Sequence, residues 1–107
     1  MQSIYKKLVD DFTFLNIYGY FCTGIQKHYV MPSVIFQNEQ IEIQIGYAFD
    51  ETRFFINIMD TTIERYYVYD NHSHLLNDVV LIGDSYDRQL NQVREILRHY
   101  LQSNKSP

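Results

Sequence analysis

The sequence predicts an α+β fold: a two-layer sandwich whose mostly antiparallel sheet of four to six strands has N- and C-terminal helices packed on one face. Residues 40–49 alternate apolar and polar side chains without a break, which indicates a half-buried strand. Apolar residues recur at helical spacing within 3–16 and 86–102. Short polar turns between the apolar segments predict sequential antiparallel strands. With 107 residues and no repeat or linker, the chain is expected to form a single domain, 1–107.

The first predicted element is a helix over residues 3–16. Ser3 is the candidate N-cap and Gly19 the candidate stop. Residues 20–31 contain many strand-forming side chains but also an internal glycine, so they form either one bent strand or an extended loop. Pro32 ends this segment or confines it to a sheet edge.

The middle of the chain predicts a meander of three strands. Residues 33–37 form the first, and Asn38-Glu39 is a tight turn before the alternating strand. The dry face of that second strand is assigned to its odd-numbered residues: Ile41, Ile43, Ile45, Tyr47 and Phe49. Residues 50–52 form another turn, and 53–59 form the third strand.

Residues 60–86 give conflicting signals. Thr61 and Glu64 match a capping box, whereas residues 66–69 have the composition of a strand, and we favour the strand. A turn at residues 83–85 then leads into the final helix. The apolar stripe of that helix comprises Tyr86, Leu90, Val93, Ile96, Leu97, Tyr100 and Leu101.

The composition narrows the classes of function. A net charge of −4 and a pI of about 5.4 argue against general nucleic-acid binding and suit a basic partner. The single cysteine, Cys22, excludes an internal disulfide and fits a reducing compartment. Residues 1–7 are amphipathic rather than a signal-peptide core, and no apolar run approaches the ~20 residues that span a bilayer. We therefore expect a soluble, cytoplasmic protein without a membrane partner.

Two groups of residues suggest chemistry, and each has a simpler interpretation. Asp70, His72 and His74 could ligate a metal ion, but a solvated loop collects the same residue types and no further ligand group is evident. Cys22 and His28 could act as nucleophile and base, but no oxyanion turn accompanies them, and a free cysteine is commonly a small buried hydrophobe. We therefore predict no metal, no cofactor and no catalytic residues.

The candidate partner-binding residues are acidic or tyrosine side chains. Five carboxylates fall in or near the meander: Glu39, Glu42, Asp50, Glu51 and Asp60. Of these, Asp50 and Glu51 occupy a predicted turn, where they would steer a basic partner. Tyr66, Tyr67 and Tyr69 alternate along a predicted strand, so part of this group is expected to stand at the surface as interface anchors.

The segments Ser33–Glu39, Ile41–Tyr47 and Phe54–Ile58, followed by a C-terminal helix, resemble small bacterial immunity proteins of toxin–immunity loci. The resemblance implies a non-enzymatic protein that binds and blocks a toxin. It transfers no functional residue, because members of that class recognise their toxins through different surfaces. We expect a small protein-binding domain of the immunity or antitoxin type. The alternatives are a ligand-binding domain or enzyme with a pocket between sheet and helices, and a homodimer formed through a sheet face or edge strand.

Overall fold

The computed structural model describes residues 3–60 and 81–103. Its elements are helix α1 (Ile4–Asp11), a 3₁₀ helix (Thr13–Tyr18), strands β1 (Phe21–Gln26), β2 (Ser33–Gln37), β3 (Ile41–Ala48) and β4 (Arg53–Asp60), and helix α2 (Tyr86–Ser103). The four strands form an antiparallel sheet in sequence order. The predicted α+β class, antiparallel meander and terminal helices are therefore confirmed. The ambiguous segment that could add strands lies outside the described residues.

The first helix begins as predicted but ends earlier. The Ser3 side chain accepts a hydrogen bond from the Lys6 backbone N–H at 3.1 Å, which confirms the cap. The prediction of one α-helix over 3–16 is wrong, because the chain tightens into a 3₁₀ helix after α1. A period of three residues directs Phe12 and Leu15, both fully buried, toward the same side. Gly19 then ends the segment with φ 90°, as predicted.

Strand β1 is the bent strand that was one of the two alternatives for residues 20–31. Its pairing with β2 shifts between Cys22 and Gly24, which leaves an extra residue and forms a bulge. Cys22 pairs with a core residue of β2, and so does Ile25. Phe21 and Gln26 both pair with residues on the opposite face. The bulge therefore places residues 22 and 25 on one face and residues 21 and 26 on the other.

The turn between β2 and β3 is closed by Asn38. Its side-chain oxygen accepts hydrogen bonds from the backbone N–H groups of Gln40, at 2.8 Å, and Ile41, at 2.6 Å. The Asn38 N–H also donates to the Ile41 carbonyl at 3.0 Å. This confirms the predicted turn, and it sets the register in which Ile43 faces Phe36 and Ile45 faces Val34.

The dry face of the alternating strand is largely as predicted. Ile43, Ile45 and Tyr47 are buried, and they pair with buried residues of β4. Phe49 is a correction, since its side chain is 51% exposed. Strand β3 ends at Ala48, so Phe49 belongs to the following turn and no longer obeys the alternation.

The opposite face of the sheet is drier than expected toward the end of β3, where Gly46 and Ala48 are both buried. Gly46 is buried because the ring of its cross-strand partner Phe55 lies directly over it. A β-carbon at this position would overlap that ring and would also lie 2.7 Å from the Pro32 carbonyl oxygen. Glycine is therefore required here for space rather than for its backbone conformation.

The final helix has its predicted start and stripe. Ser85 accepts a hydrogen bond from the Arg88 N–H at 3.4 Å, near the start of α2. Helices and strands contribute to one hydrophobic cluster, in which α1 contacts β2 and α2 contacts β4. Its buried members are Leu8, Phe12, Leu15, Tyr20, Val34, Phe36, Ile43, Ile45, Tyr47, Phe54, Ile56, Ile58, Leu90, Val93, Leu97 and Leu101. Among the described residues, no helix combines the length and apolar character needed to cross a membrane.

The two helices are joined by polar contacts around Asp11. The Tyr86 hydroxyl donates to its carboxylate at 2.7 Å, and Arg94 Nη2 approaches the same carboxylate at 3.3 Å. Arg94 Nε also donates to the Asp11 backbone carbonyl at 2.9 Å. Burial, followed by the hydrogen bond to Asp11, raises the pKa of Tyr86 far above its ordinary value. Asp11 therefore fixes the end of α1 against α2.

Candidate functional site

Three segments meet at one end of the sheet: the loop 27–32, the turn 49–52 and the start of α2. Backbone hydrogen bonds continue beyond β2, because the Tyr47 N–H donates to the Pro32 carbonyl at 3.2 Å and the Phe49 N–H to the Val30 carbonyl at 2.9 Å. The loop therefore follows the end of β3 as an irregular extension of the sheet.

The turn and the start of α2 are joined by Gln89, which is 2% exposed. Its side-chain nitrogen donates to the Thr52 carbonyl at 2.6 Å and to the Gly83 carbonyl at 3.1 Å. Its side-chain oxygen accepts from the Phe54 N–H at 3.2 Å. One amide thus satisfies three backbone groups from two segments that are far apart in sequence.

Large apolar side chains stand in solvent at this end. Tyr29 is 98% exposed, Ile82 74% and Phe49 51%. The Phe49 ring meets the buried Tyr47 ring edge-on, with centroids 5.3 Å apart. Because burying such side chains is favourable, this group of exposed apolar side chains is a candidate contact surface.

Carboxylates accompany the apolar side chains, and we call this region the acidic end (Tyr29, Phe49, Asp50, Glu51, Ile82, Asp84 and Asp87). Asp84 and Asp87 have cationic neighbours, at 3.9 Å from Arg88 and 3.4 Å from Lys7 respectively. Asp50 and Glu51 are exposed and form no ion pair within the described part of the chain.

The charge of Asp84 acts on a buried tyrosine beneath the acidic end. Tyr47 lies under this surface, and its ring centroid is 5.5 Å from that of Tyr86. Burial raises the pKa of Tyr47, and the charge of Asp84 raises it further.

The structure separates the five predicted carboxylates. Asp50 and Glu51 lie in the β3–β4 turn, as predicted. Glu39 lies in the β2–β3 turn, at the other end of an eight-residue strand that spans about 25 Å. Glu42 and Asp60 are nearer that second end. The five carboxylates that the sequence places in or near the meander therefore fall into two groups, of which one belongs to the acidic end.

The other predicted sites have different outcomes. Tyr66, Tyr67 and Tyr69 lie outside the described residues, and so do Asp70, His72 and His74. Residues 3–60 and 81–103 contain no group of three side chains suited to a metal ion.

Cys22 and His28 each have a local partner. The simpler interpretation of Cys22 as a small buried hydrophobe does not hold, because Cys22 is exposed on the edge strand β1. Its thiol approaches the Gly24 carbonyl at 3.7 Å. The Nδ1 atom of His28 accepts hydrogen bonds from the backbone N–H groups of Val30, at 3.2 Å, and Met31, at 3.0 Å. This ring nitrogen organises the loop 27–32, so the neutral imidazole carries its proton on Nε2.

A groove of about 580 Å³ lies on the polar face of the sheet. It is lined by Gln26, Lys27, His28, Met31, Gln44, Phe55 and Asn57. Three of these amides form a chain of hydrogen bonds, from Asn57 to Gln44 at 3.1 Å and from Gln44 to Gln26 at 2.7 Å. The alternative prediction placed a pocket between sheet and helices, whereas this groove is on the other face of the sheet.

Sequence reasoning missed two parts of the site. Gln89 lies three residues after Tyr86 and four before Val93, so it falls on the apolar stripe of α2. A lone amide on an apolar stripe could have indicated a buried hydrogen-bonding role. The exposure of Phe49 was harder to predict from the sequence. It depends on whether β3 ends before or after residue 49, and strand ends are the least predictable part of an element.

Comparisons with protein-family models, with curated proteins and with solved structures found no match for this chain. The functional assignment therefore rests on the described surface and its chemistry.

Proposed function

We propose that the protein is a small binding domain of the immunity or antitoxin type, which blocks a partner protein by covering a basic surface on it. The observation that supports this is the acidic end, where Tyr29, Phe49 and Ile82 are exposed beside the carboxylates of Asp50 and Glu51, which form no ion pair with any described residue. Apolar anchors and charges at one place are the combination that protein interfaces use.

The two kinds of side chain have different roles in this proposal. Aromatic side chains bury large area with little loss of conformational freedom, so Tyr29 and Phe49 serve as anchors. Asp50 and Glu51 are exposed, and their charges mainly accelerate encounter with a cationic surface. Tyr66, Tyr67 and Tyr69 remain proposed anchors from the sequence.

The proposal includes an arrangement for the fold. We infer a two-layer sandwich in which both helices cover the face of the sheet that carries Ile43 and Ile45. Residues of α1, α2 and three strands share one hydrophobic cluster, which supports this arrangement. A single domain in a reducing, cytoplasmic compartment, with no nucleic-acid or membrane partner, completes the proposal, as the composition predicts.

The test is binding to the product of the adjacent gene, measured by surface kinetics at low and high salt. Glu51→Lys reverses a charge in the acidic end, and Glu39→Lys makes the same change at the opposite end of β3. We expect Glu51→Lys to slow association by about tenfold at low salt and to reduce the dependence of the association rate on salt. Glu39→Lys should leave the association rate and its dependence on salt close to their original values.

A second substitution tests the anchor. Tyr29→Ala should accelerate dissociation by about 30-fold, which corresponds to a loss of about 2 kcal/mol for an interface anchor. Lys27→Ala in the same loop is the control, and it should change dissociation little. A partner that binds all four variants with unchanged kinetics would show that the acidic end is not the contact surface.

Ligand binding in the groove is the second candidate function. The amide chain of Gln26, Gln44 and Asn57 offers ordered polar groups beside the Phe55 ring, which is the mixture that small-molecule sites use. A small molecule that shifts the amide resonances of these side chains, in a protein that binds no partner, would favour this candidate over the first.

A further inference from the structure

Strand β1 lies at the edge of the sheet that the described strands form, and none of them pairs with its outer side. Within the described part of the chain it pairs with β2 alone, and most of its residues are exposed. Edge strands usually carry charges or proline that prevent a further strand from pairing. The six residues Phe21–Gln26 contain neither, and the bulge is their one irregularity.

Exposed apolar side chains flank this edge on both faces of the sheet. Phe21 is 55% exposed on the face that carries the polar groove, and Ile25 is 44% exposed on the core face. Ile17, in the preceding 3₁₀ helix, is 85% exposed. A strand added to β1 would cover apolar surface on both of its sides, in addition to forming backbone hydrogen bonds.

The distribution of charge favours a second copy of this chain as the partner that pairs with β1. The chain carries a net charge of −4, so two copies repel each other across most of their surfaces. All of its carboxylates lie outside the continuous stretch Phe12–Asn38, which contains β1 and β2. This is the surface at which two acidic molecules can approach each other with the least repulsion.

The bulge makes β1 complementary to itself. A two-fold axis perpendicular to the sheet keeps each face on its own side, so opposed residues must belong to the same face. In a regular strand, residues 22 and 25 would lie on opposite faces. Here the bulge places Cys22 and Ile25 on one face, and Phe21 and Gln26 on the other. A two-fold axis between Thr23 and Gly24 therefore places residues of the same face opposite each other in the two copies.

We propose that two copies of this chain pair antiparallel along β1, with Cys22 of each copy opposite Ile25 of the other and Phe21 opposite Gln26. The described strands of both copies then form a continuous sheet of eight. This inference goes beyond the proposed function and does not depend on it, because the turn that carries Asp50 and Glu51 is not part of the β1 edge.

The first test is the oligomeric state of the full chain, measured by sedimentation velocity over a wide concentration range. The protein should sediment as twice its mass of 12.9 kDa and dissociate on dilution. Ile25→Lys should weaken dimerisation by at least about tenfold, because each dimer then carries two charges at its contact. Ile82→Lys makes the same exchange at an exposed isoleucine away from β1, and it should leave the dimer unchanged. Circular dichroism checks that both variants are folded.

The second test fixes the register with the chain's own cysteine. In Ile25→Cys, Cys22 of one copy faces the new thiol of the other, so mild copper-catalysed oxidation should give a covalent dimer. In the Cys22→Ser, Ile25→Cys double variant the remaining thiols are three residues out of register, about 10 Å apart along the strands, and no covalent dimer should form.

Three results would overturn the proposal. A chain that stays monomeric at every concentration would leave a strand of a different protein as the candidate occupant of β1. A dimer that Ile25→Lys leaves intact would lie at another surface. Equal cross-linking of the Ile25→Cys variant and the double variant would show random collision rather than the proposed register.

Discussion

Replacing Gln89 with methionine should destabilise the protein by about 3 kcal/mol. The two side chains have similar length, so the core keeps its volume while the three hydrogen bonds are lost. The Phe54 N–H belongs to a residue that is 1% exposed, and leaving it unpaired costs about 1–3 kcal/mol. The Thr52 and Gly83 carbonyls belong to exposed residues that water can reach, so each loses only about 0.5–1.5 kcal/mol.

Urea unfolding at neutral pH measures this difference in the free energy of unfolding. On the same helix, Gln102→Met provides the control, because Gln102 is exposed and its one described hydrogen bond is 3.5 Å long. That control should change stability by less than about 0.5 kcal/mol. Amide exchange adds a local readout, since the Phe54 N–H should exchange faster in Gln89→Met than the core amides of β3.

A loss of less than about 1 kcal/mol for Gln89→Met would refute the reasoning. It would mean that the turn and the start of α2 hold their positions without this amide. An equal loss in Gln102→Met would show that methionine is unfavourable on this helix for a general reason rather than because hydrogen bonds are missing.

Two further changes test the packing and the polar link. Gly46→Ala should destabilise by about 1–3 kcal/mol in thermal unfolding, because the new methyl lies too close to the Pro32 carbonyl; Gly24→Ala, with open space around it, should be nearly neutral. The free energy of unfolding should fall as the pH rises above about 10. In the folded state, burial and the hydrogen bond to Asp11 keep the proton on the Tyr86 hydroxyl, whereas the unfolded chain releases it. Tyr86→Phe should reduce this fall in urea titrations at pH 7 and about 10.5; an equal fall in both proteins would contradict the assignment.

Local chemistry determined the elements that the sequence predicted well. Ser3 and Gly19 act through their own side chain or backbone, so their roles can be read without the rest of the fold. Strand β2 has the predicted bounds, Ser33–Gln37, because a proline and a turn-forming asparagine flank it. The change from α-helix to 3₁₀ helix after Asp11 has no signal in the periodicity, because Leu8, Phe12 and Leu15 also fit one stripe of a continuous α-helix.

The candidate site was less predictable because it combines distant segments. Asp50 and Glu51 were found from turn composition alone. Tyr29 and Ile82 reach the same end through the hydrogen bonds of the loop 27–32, of Gln89, and of Gln92 with the Ile82 N–H. Periodicity assigns a residue to a face of its own element, but it does not show which ends of different elements lie together.

The contacts of Asp11 determine how late in synthesis the tertiary structure can be completed. Strands β1 to β4 are neighbours in sequence, and their hairpins can pair as they leave the ribosome. The contact between Asp11 and Arg94 can form only after Arg94, which is 83 residues further along the chain, has been synthesised. Until α2 has emerged, the nascent chain exposes the core face of its sheet to water, and such a face attracts other unfinished chains. The interval between β4 and the end of α2 is therefore when this protein is most exposed to aggregation and to chaperones.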